Sequence, residues 1–545
     1  MAMHFKRALI KMIPVIVLVC FIFQTMVPSS AEEPENTNPR YAMSYIYFGD
    51  SGAYTGCVDR TEGSLNELSP NYFDLKADGS LSLTQAVNKG FVDEMHSRGI
   101  SVVPFLSNHW NRELGQTALA NMEALTEQLA EAVGKYDLDG VNVDIENLTE
   151  KERDLHTEFI RLLKEKLPED KIIAVSVAAN PYGINKGWKG SYDYEALGKH
   201  SDYLMIMAYD EHYNGSAPGT IAGISMAEKS IQYALGKVPK EKIVLGLPFY
   251  GRIWRDGPGY PQGVGIGNTE VQALIEKYDG KVIFDTKTMT PSATITVEAK
   301  DERPIIGGTA IEPDTYIIWF ENQQSLKEKL KLLEKYDIKG AGSWSLGQET
   351  EDTWGYYKLW SNGCYFEDAA KHWARDYILK AYKNKWVRGV SDTSFSPEKT
   401  LTRAEGAAML VRMLGLTAKT DEVPAFIDIT GHWARDEIIT AWGFNIVNGM
   451  SGDSFEPEAP VTREQMAFML NNILKMYSIS GPGQIISFSD LGSGINSRSR
   501  DAIMQVGGMG ILSGFGDGSF RPGEALTRGQ MTSIMCKLDK ALEQP

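Results

Sequence analysis

The eight residues Asp139-Gly140-Val141-Asn142-Val143-Asp144-Ile145-Glu146 constrain this chain more than any other stretch. Side chains on a strand alternate between faces, so Val141, Val143 and Ile145 share one side while Asn142, Asp144 and Glu146 share the other. The β-branched face needs cover, and an inward amide with two carboxylates is costly to bury unless it is used. A strand of a parallel barrel meets both conditions: helices cover its outer face and its C-terminal end opens into a site. Glu146 is then expected nearest the mouth. Residues two apart on a strand lie roughly 6 to 7 Å apart, so Asp144 is expected to keep the Glu146 carboxyl protonated by like-charge proximity, as a general acid.

The surrounding pattern supports a barrel. Strand-like runs fall at residues 43–48, 71–75, 101–106, 140–145, 172–178, 203–208, 243–249 and 342–346. Amphipathic helical patterns such as residues 119–135 and 150–166 separate several of them. Eight parallel strands with intervening helices give an α/β chain, a (β/α)8 TIM barrel over residues 41–360. Residues 254–320 are rich in Gly, Thr and short alternating runs and read as a small α+β insertion.

Residues 139–146 resemble the DxxDxDxE signature of glycoside hydrolase family 18, with Asp139, Asp144 and Glu146 on three acidic positions and Asn142 on the fourth. Met207-Ala208-Tyr209-Asp210 is similar to the family's Met-x-Tyr-Asp motif, and residues 246–252, ending in Arg252, to its seventh strand. Trp344 stands where the family places an indole under the reacting sugar. The resemblance implies catalytic roles for Glu146, Asp144 and Tyr209. It implies substrate contacts from Asn142, Met207, Asp210 and Trp344, with Trp110 and Arg252 as further cleft residues, and structural roles for Asp139 and Gly140. Taken singly, Tyr209 and Trp344 read equally well as core aromatics. Asn142 replaces the commoner Asp and is expected to donate its amide to Asp144, keeping Asp144 ionised to lower pH.

The 545 residues exceed one ordinary core. At the N-terminus, Lys6, Arg7 and Lys11 precede an apolar run and Pro28-Ser29-Ser30-Ala31, which reads as an export signal over residues 1–31, followed by a polar leader over 32–40. Loss of those three positive charges and no negative ones takes the formal charge from -16 to -19. Such acidity argues against nucleic acid as a partner. Cys57, Cys364 and Cys536 form no disulfide framework. There is no HExxH and no paired His or Cys at ligand spacing, so no metal and no cofactor is expected. No membrane span is expected after signal removal.

From residue 366 the chain repeats itself. Asp368, His372-Trp373, Phe395-Ser396-Pro397 and Thr402-Arg403-Ala404-Glu405 recur as Asp428, His432-Trp433, Phe455-Glu456-Pro457 and Thr462-Arg463-Glu464-Gln465. A third copy has Asp490, Phe520-Arg521-Pro522 and Thr527-Arg528-Gly529-Gln530, with Gly494-Ile495-Asn496 in place of His-Trp. These copies, over 366–415, 426–476 and 488–541, resemble S-layer homology modules and are expected to be mainly α-helical. The resemblance implies that Arg403, Arg463 and Arg528, with Trp373 and Trp433, hold an anionic secondary cell-wall polysaccharide. A purely structural repeat, with Arg tying helices together, is the competing reading. Together the resemblances imply an exported, cell-surface glycosidase held in a Gram-positive-type wall. Its substrate would be an N-acetylglucosamine-containing polysaccharide, peptidoglycan ahead of chitin. A silent surface lectin or S-layer component is the rival, and the presence of Glu146 speaks against it.

Overall fold

The computed structural model describes residues 39–49, 51–418, 424–479, 484, 486–492 and 495–543. The expected export signal, the leader up to residue 38 and Gly494 lie outside them. Eight parallel strands form the barrel: β1 (Tyr41–Ile46), β2 (Glu67–Pro70), β3 (Ser101–Val102 and Phe105–Ser107), β4 (Gly140–Asp144), β5 (Ile172–Ala178), β6 (Tyr203–Met207), β7 (Ile243–Pro248) and β8 (Gly340–Trp344). The ring closes through Val103-Pro104, where β3 changes partners. Val103 donates to Leu68 on one side, and the Pro104 carbonyl accepts from Asn142 on the other. Proline has no N–H to offer, which accounts for the split in the middle of β3.

β2 differs from expectation. The strand beside β1 begins earlier, at Glu67; after a break at residues 71–72, Phe73–Leu75 runs on in the same sheet, parallel to Phe105–Ser107 through the pair Phe73 and Leu106 and antiparallel to Leu81–Leu83. Glu67-Leu68-Ser69-Pro70 carries no β-branched residue and so gives no strand signal, yet it pairs with Tyr41–Ile46 and Ser101–Val102. Its Glu67 points inward, accepts from Tyr41 and from Tyr203 at 2.5 Å, and is pushed up to about 7 by burial.

On β4, Val141, Val143 and Ile145 are fully buried against the helical layer, and Asn142 and Asp144 are buried inside the barrel. Gly140 fits because a Cβ there would lie 1.9 Å from the Ile172 carbonyl oxygen of β5. Asp139 locks the entry to the strand, since its Oδ2 accepts from the Val102 amide at 2.6 Å and pairs with His96 at 2.8 Å. Between β7 and β8, residues from Tyr250 to Trp319 fold into a five-stranded antiparallel sheet with a helix at Asn268–Lys277 and a small core of their own.

The C-terminal copies each supply two helices: Arg375–Lys383 with Arg403–Met413, Arg435–Gly443 with Arg463–Met476, and Ser497–Gly508 with Arg528–Leu542. Thr402, Thr462 and Thr527 each cap the second helix through a reciprocal capping box with Glu405, Gln465 and Gln530. The second helix of one copy packs on the first helix of the next, and the third copy closes onto the first. The arrangement is cyclic.

Barrel and repeats share one continuous core through the buried helix Thr353–Trp360. Lys327 Nζ reaches Glu367 at 2.5 Å while lying 4.0 Å above the Trp360 ring, and Arg375 Nη1 donates to Glu62 at 2.7 Å. Among the described residues no helix is long and apolar enough to cross a membrane.

Candidate active site

Beyond the end of β4 the backbone of Glu146 is held on both edges by one side chain. Asn108 Oδ1 accepts from the Glu146 amide at 2.8 Å, and Asn108 Nδ2 donates to the Glu146 carbonyl at 2.9 Å. The Glu146 carboxyl is thus aimed from a rigid strand end, which suits a group that must transfer a proton at a fixed point. Burial holds it well above the usual carboxylate range, and the charges of Asp144 and Asp210 push in the same direction. Like-charge proximity to Asp144 is therefore the second cause and not the first.

Asp144 is 6% exposed and its Oδ1 has no hydrogen-bond partner within the protein. Burial raises its pKa as well, offset in part by His109 and by the Ser107 hydroxyl. An unmatched carboxylate oxygen inside a barrel is costly, and its position beside Glu146 marks a place where a ligand donor would be welcome.

The floor is aromatic. Trp344 lies 5.2 Å from Tyr45, 5.8 Å from Tyr47 and 6.0 Å from Phe105, centroid to centroid. Tyr209 meets Tyr250 edge to face at 6.1 Å, and Met207, Tyr209 and Trp344 all pack on the buried cluster that includes Tyr45, Phe105 and Met205. Half-buried Trp344 and Tyr209 keep one side open, which suits the apolar C–H face of a sugar and its polar edge. At the rim, Trp110, 48% exposed, stands edge-on to Trp188 at 5.2 Å.

Two expected contacts are corrected by the geometry. Asn142 does not touch Asp144 and has no surface to offer a substrate, because it is fully buried in the barrel interior. Its Nδ2 donates to the Tyr45 hydroxyl at 3.0 Å and to Ser69 at 3.4 Å, and its Oδ1 accepts from Ser176 at 3.1 Å. The expectation that it keeps Asp144 ionised to lower pH fails with it, since burial moves Asp144 the other way. Arg252 is likewise committed: it forks onto Asp210 with bonds of 2.9 and 2.7 Å and donates to the Gly263 carbonyl at 2.8 Å. With the Tyr250 hydroxyl at 2.6 Å, it positions Asp210 and leaves that carboxylate to face the cleft.

Asn108, Tyr45, Tyr47, Tyr250 and Trp188 belong to this site and were missed in the sequence. The alternation Tyr45-Ile46-Tyr47 on β1 is the signal that places both tyrosines inward. Asn108 and Trp188 sit on loops, where no periodicity announces them.

In the repeats, Arg403, Arg463 and Arg528 are buried at 3 to 4% exposure. Arg403 donates to the carbonyls of Phe455 and Asn448, Arg463 to those of Phe520 and Ser513, and Arg528 to those of Phe395 and Arg388. Each guanidinium also stacks on a Phe ring at 4.6 Å. The expected forked contact with a polymer is therefore corrected, because most of each fork already ties its helix to a neighbouring copy. Trp373 and Trp433, by contrast, are 58% and 57% exposed. Among the described residues no group of three His, Cys, Asp or Glu is placed to hold a metal ion.

Residues 106–349 match the model for glycosyl hydrolases family 18, and residues 365–407, 425–467 and 488–532 match that for the S-layer homology domain. The uncharacterized glycosylase YvbX of Bacillus subtilis is 28% identical over 247 residues, 44% of this chain and 68% of that protein. A cortical fragment-lytic enzyme of Bacillus anthracis is 26% identical over 223 residues, 40% of this chain and about half, 49%, of that enzyme. Among solved structures, a chitinase from Chromobacterium violaceum aligns with a TM-score of 0.52 at 25% identity, covering 59% of this chain and 98% of its own. The chain thus carries a glycosyl hydrolases family 18 domain over residues 106–349, followed by three S-layer homology domains that indicate association with the cell surface.

Proposed function

We propose that the chain is an exported glycosidase, anchored in the cell wall, that cleaves β-linked N-acetylglucosamine polymers by substrate-assisted retention. Peptidoglycan is favoured over chitin. The observation that carries this reading is the pairing of Glu146, whose carboxyl burial holds above the usual carboxylate range, with a buried carboxylate oxygen left unmatched, Asp144 Oδ1, above the Trp344 floor.

Glu146 gives its proton to the glycosidic oxygen as the bond to the anomeric carbon breaks. The substrate's own 2-acetamido oxygen attacks that carbon from the other side, so no second protein carboxylate serves as nucleophile. Asp144 accepts the acetamido N–H and balances the positive oxazolinium. The Tyr209 hydroxyl, kept protonated by burial, donates to the acetamido oxygen. Glu146, now ionised, takes a proton from the water that opens the ring, and the β configuration is restored.

One relative favours a wall substrate, being named a cortical fragment-lytic enzyme. The anchoring reading rests on the three S-layer homology domains, with the exposed Trp433 as a sugar contact and the anionic wall polysaccharide as partner.

Mass analysis of products from purified peptidoglycan and from chitin oligosaccharides tests the reading. Fragments with N-acetylglucosamine at the new reducing end, released faster from peptidoglycan, are expected. A folded protein that binds but cleaves neither substrate is a lectin, and the proposal falls.

A further inference from the structure

A second concavity lies where the barrel meets the first repeat, a cavity of about 830 Å3 that shares no lining residue with the cleft around Glu146. Its walls come from four separate parts of the chain, one of them the turn that carries Glu62. The insertion helix contributes Gln272, the loop after β8 contributes Glu351 and Asp352, and the first repeat contributes Lys371 and Trp373. Arg375 braces the cavity by donating to the Glu62 carboxylate at 2.7 Å and to its carbonyl at 3.3 Å, so the two sides are held at a fixed spacing before any ligand arrives.

The lining chemistry is that of a saccharide site. Trp373 presents an exposed indole, the surface on which a sugar's C–H face stacks. Gln272, Glu351 and Lys371 line the same cavity with no hydrogen-bond or ion-pair partner among the described residues. Volumes of roughly 300 to 1,000 Å3 are typical of ligand sites, so a short oligosaccharide fits. Charge selects among saccharides. The carboxylates of Glu62, Glu351, Asp352 and Asp376 outnumber the cations of Lys371 and Arg375, and Arg375 is already bonded to Glu62 and Asp376. An anionic polymer would be repelled here.

We infer that this junction cavity is a second saccharide site, taking a short segment of an uncharged N-acetylhexosamine chain. The choice of sugar rests on the glycosidase reading above, while the site itself does not. A strand held beside the barrel in this way is kept near Glu146 between cleavage events, which raises its effective concentration.

Calorimetric titration of the full chain carrying Glu146→Gln with an N-acetylglucosamine hexasaccharide tests the inference. Two sites per chain are expected. Trp373→Ala, and separately Gln272→Ala with Glu351→Ala, should each weaken one site at least tenfold and spare the other, while Trp344→Ala does the reverse. These side chains are exposed, and unchanged thermal unfolding certifies each variant. One site per chain, insensitive to Trp373→Ala, overturns the inference. So does a Trp373 effect with none from the Gln272 and Glu351 pair, which assigns binding to the repeat alone. Equal affinity for an oligogalacturonate at the junction overturns the selection for uncharged chains. A Trp373-sensitive site with no site that responds to Trp344→Ala would refute the catalytic reading and leave the junction site standing.

Discussion

Both the barrel mouth and the C-terminal repeats bury charge, and they treat it in opposite ways. In the repeats, Arg403, Arg463 and Arg528 find carbonyls of a neighbouring copy and a Phe ring each, so the charge is matched and the helices are tied. At the mouth, Asp144 keeps an oxygen with no partner and Glu146 is pushed toward its neutral form. Matched buried charge builds architecture. Unmatched buried charge persists where a ligand completes it, which is why the perturbed carboxylates at the mouth mark a working site.

Replacement of one atom tests the unmatched side most sharply. Glu146→Gln keeps the shape and cannot donate the proton, so hydrolysis should fall by roughly 10^3-fold or more, the upper range for a general acid, with the melting temperature unchanged or raised. Activity within tenfold of the parent would remove Glu146 from the mechanism.

On the matched side the loss should appear in stability instead. Arg403→Ala strips two carbonyls of their donor and a Phe of its cation, at a cost of roughly 3 kcal/mol for a buried, bonded charge. Arg528→Ala should cost at least as much, because Arg528 also contacts Glu405 at 3.4 Å. Denaturant titration of the full chain reads both, and wall binding should follow stability in each variant. The copies also exchange roles across their borders. Arg528 serves the loop of the first copy, which has His372-Trp373, whereas Arg463 serves the third, where Asn496 caps the helix instead. A wall-binding defect in Arg403→Lys with stability intact would break the division between matched and unmatched charge.

The pH dependence of stability sharpens the same contrast. Asp144 has a folded pKa above its unfolded one, so between the ordinary carboxylate range and the raised value the folded chain holds the proton and the unfolded chain does not. Stability contributed by this group is full at low pH and is lost as pH rises through the folded pKa. Asp144→Asn removes the penalty. The variant should match the parent near pH 4 and be a few kcal/mol more stable at pH 8, while losing activity. Equal pH slopes would mean that Asp144 is not buried as described.

The barrel was legible where periodicity speaks. β5 was read as Ile172–Ala178, as observed, and the inward row of β4 pointed at Glu146 before any coordinates. β2 was not legible, because Glu67 and Pro70 look like loop residues until Tyr41 and Tyr203 are seen to satisfy the Glu67 carboxyl. The capping boxes could be read from Thr-Arg-x-Glu/Gln, since a cap is local. The bonds of the arginines could not, because their carbonyl partners lie 45 to 140 residues away. Asn142 shows the same limit. Its face of the strand was clear, but its partners, Tyr45 and Ser176, come from other strands.

That residue gives the smallest and most discriminating effect. Asn142→Asp places a third carboxyl in the barrel interior, among the hydroxyls of Tyr45, Ser69 and Ser176, with no cation bonded to that position among the described residues. Burial there keeps the new carboxyl neutral through the working pH range, since ionisation without a cation is costly. A neutral Asp can still accept from Ser176, and its single O–H replaces only one of two amide donors. The expected loss is about 1 kcal/mol of stability, the scale of one net hydrogen bond. The pH–rate profile should superimpose on that of the parent within about half a unit, because no charge is added near Asp144. A clear upward shift of the acidic limb would mean that position 142 does ionise and couples to Asp144, and the matched interior would then extend less far up the barrel than its hydrogen bonds indicate.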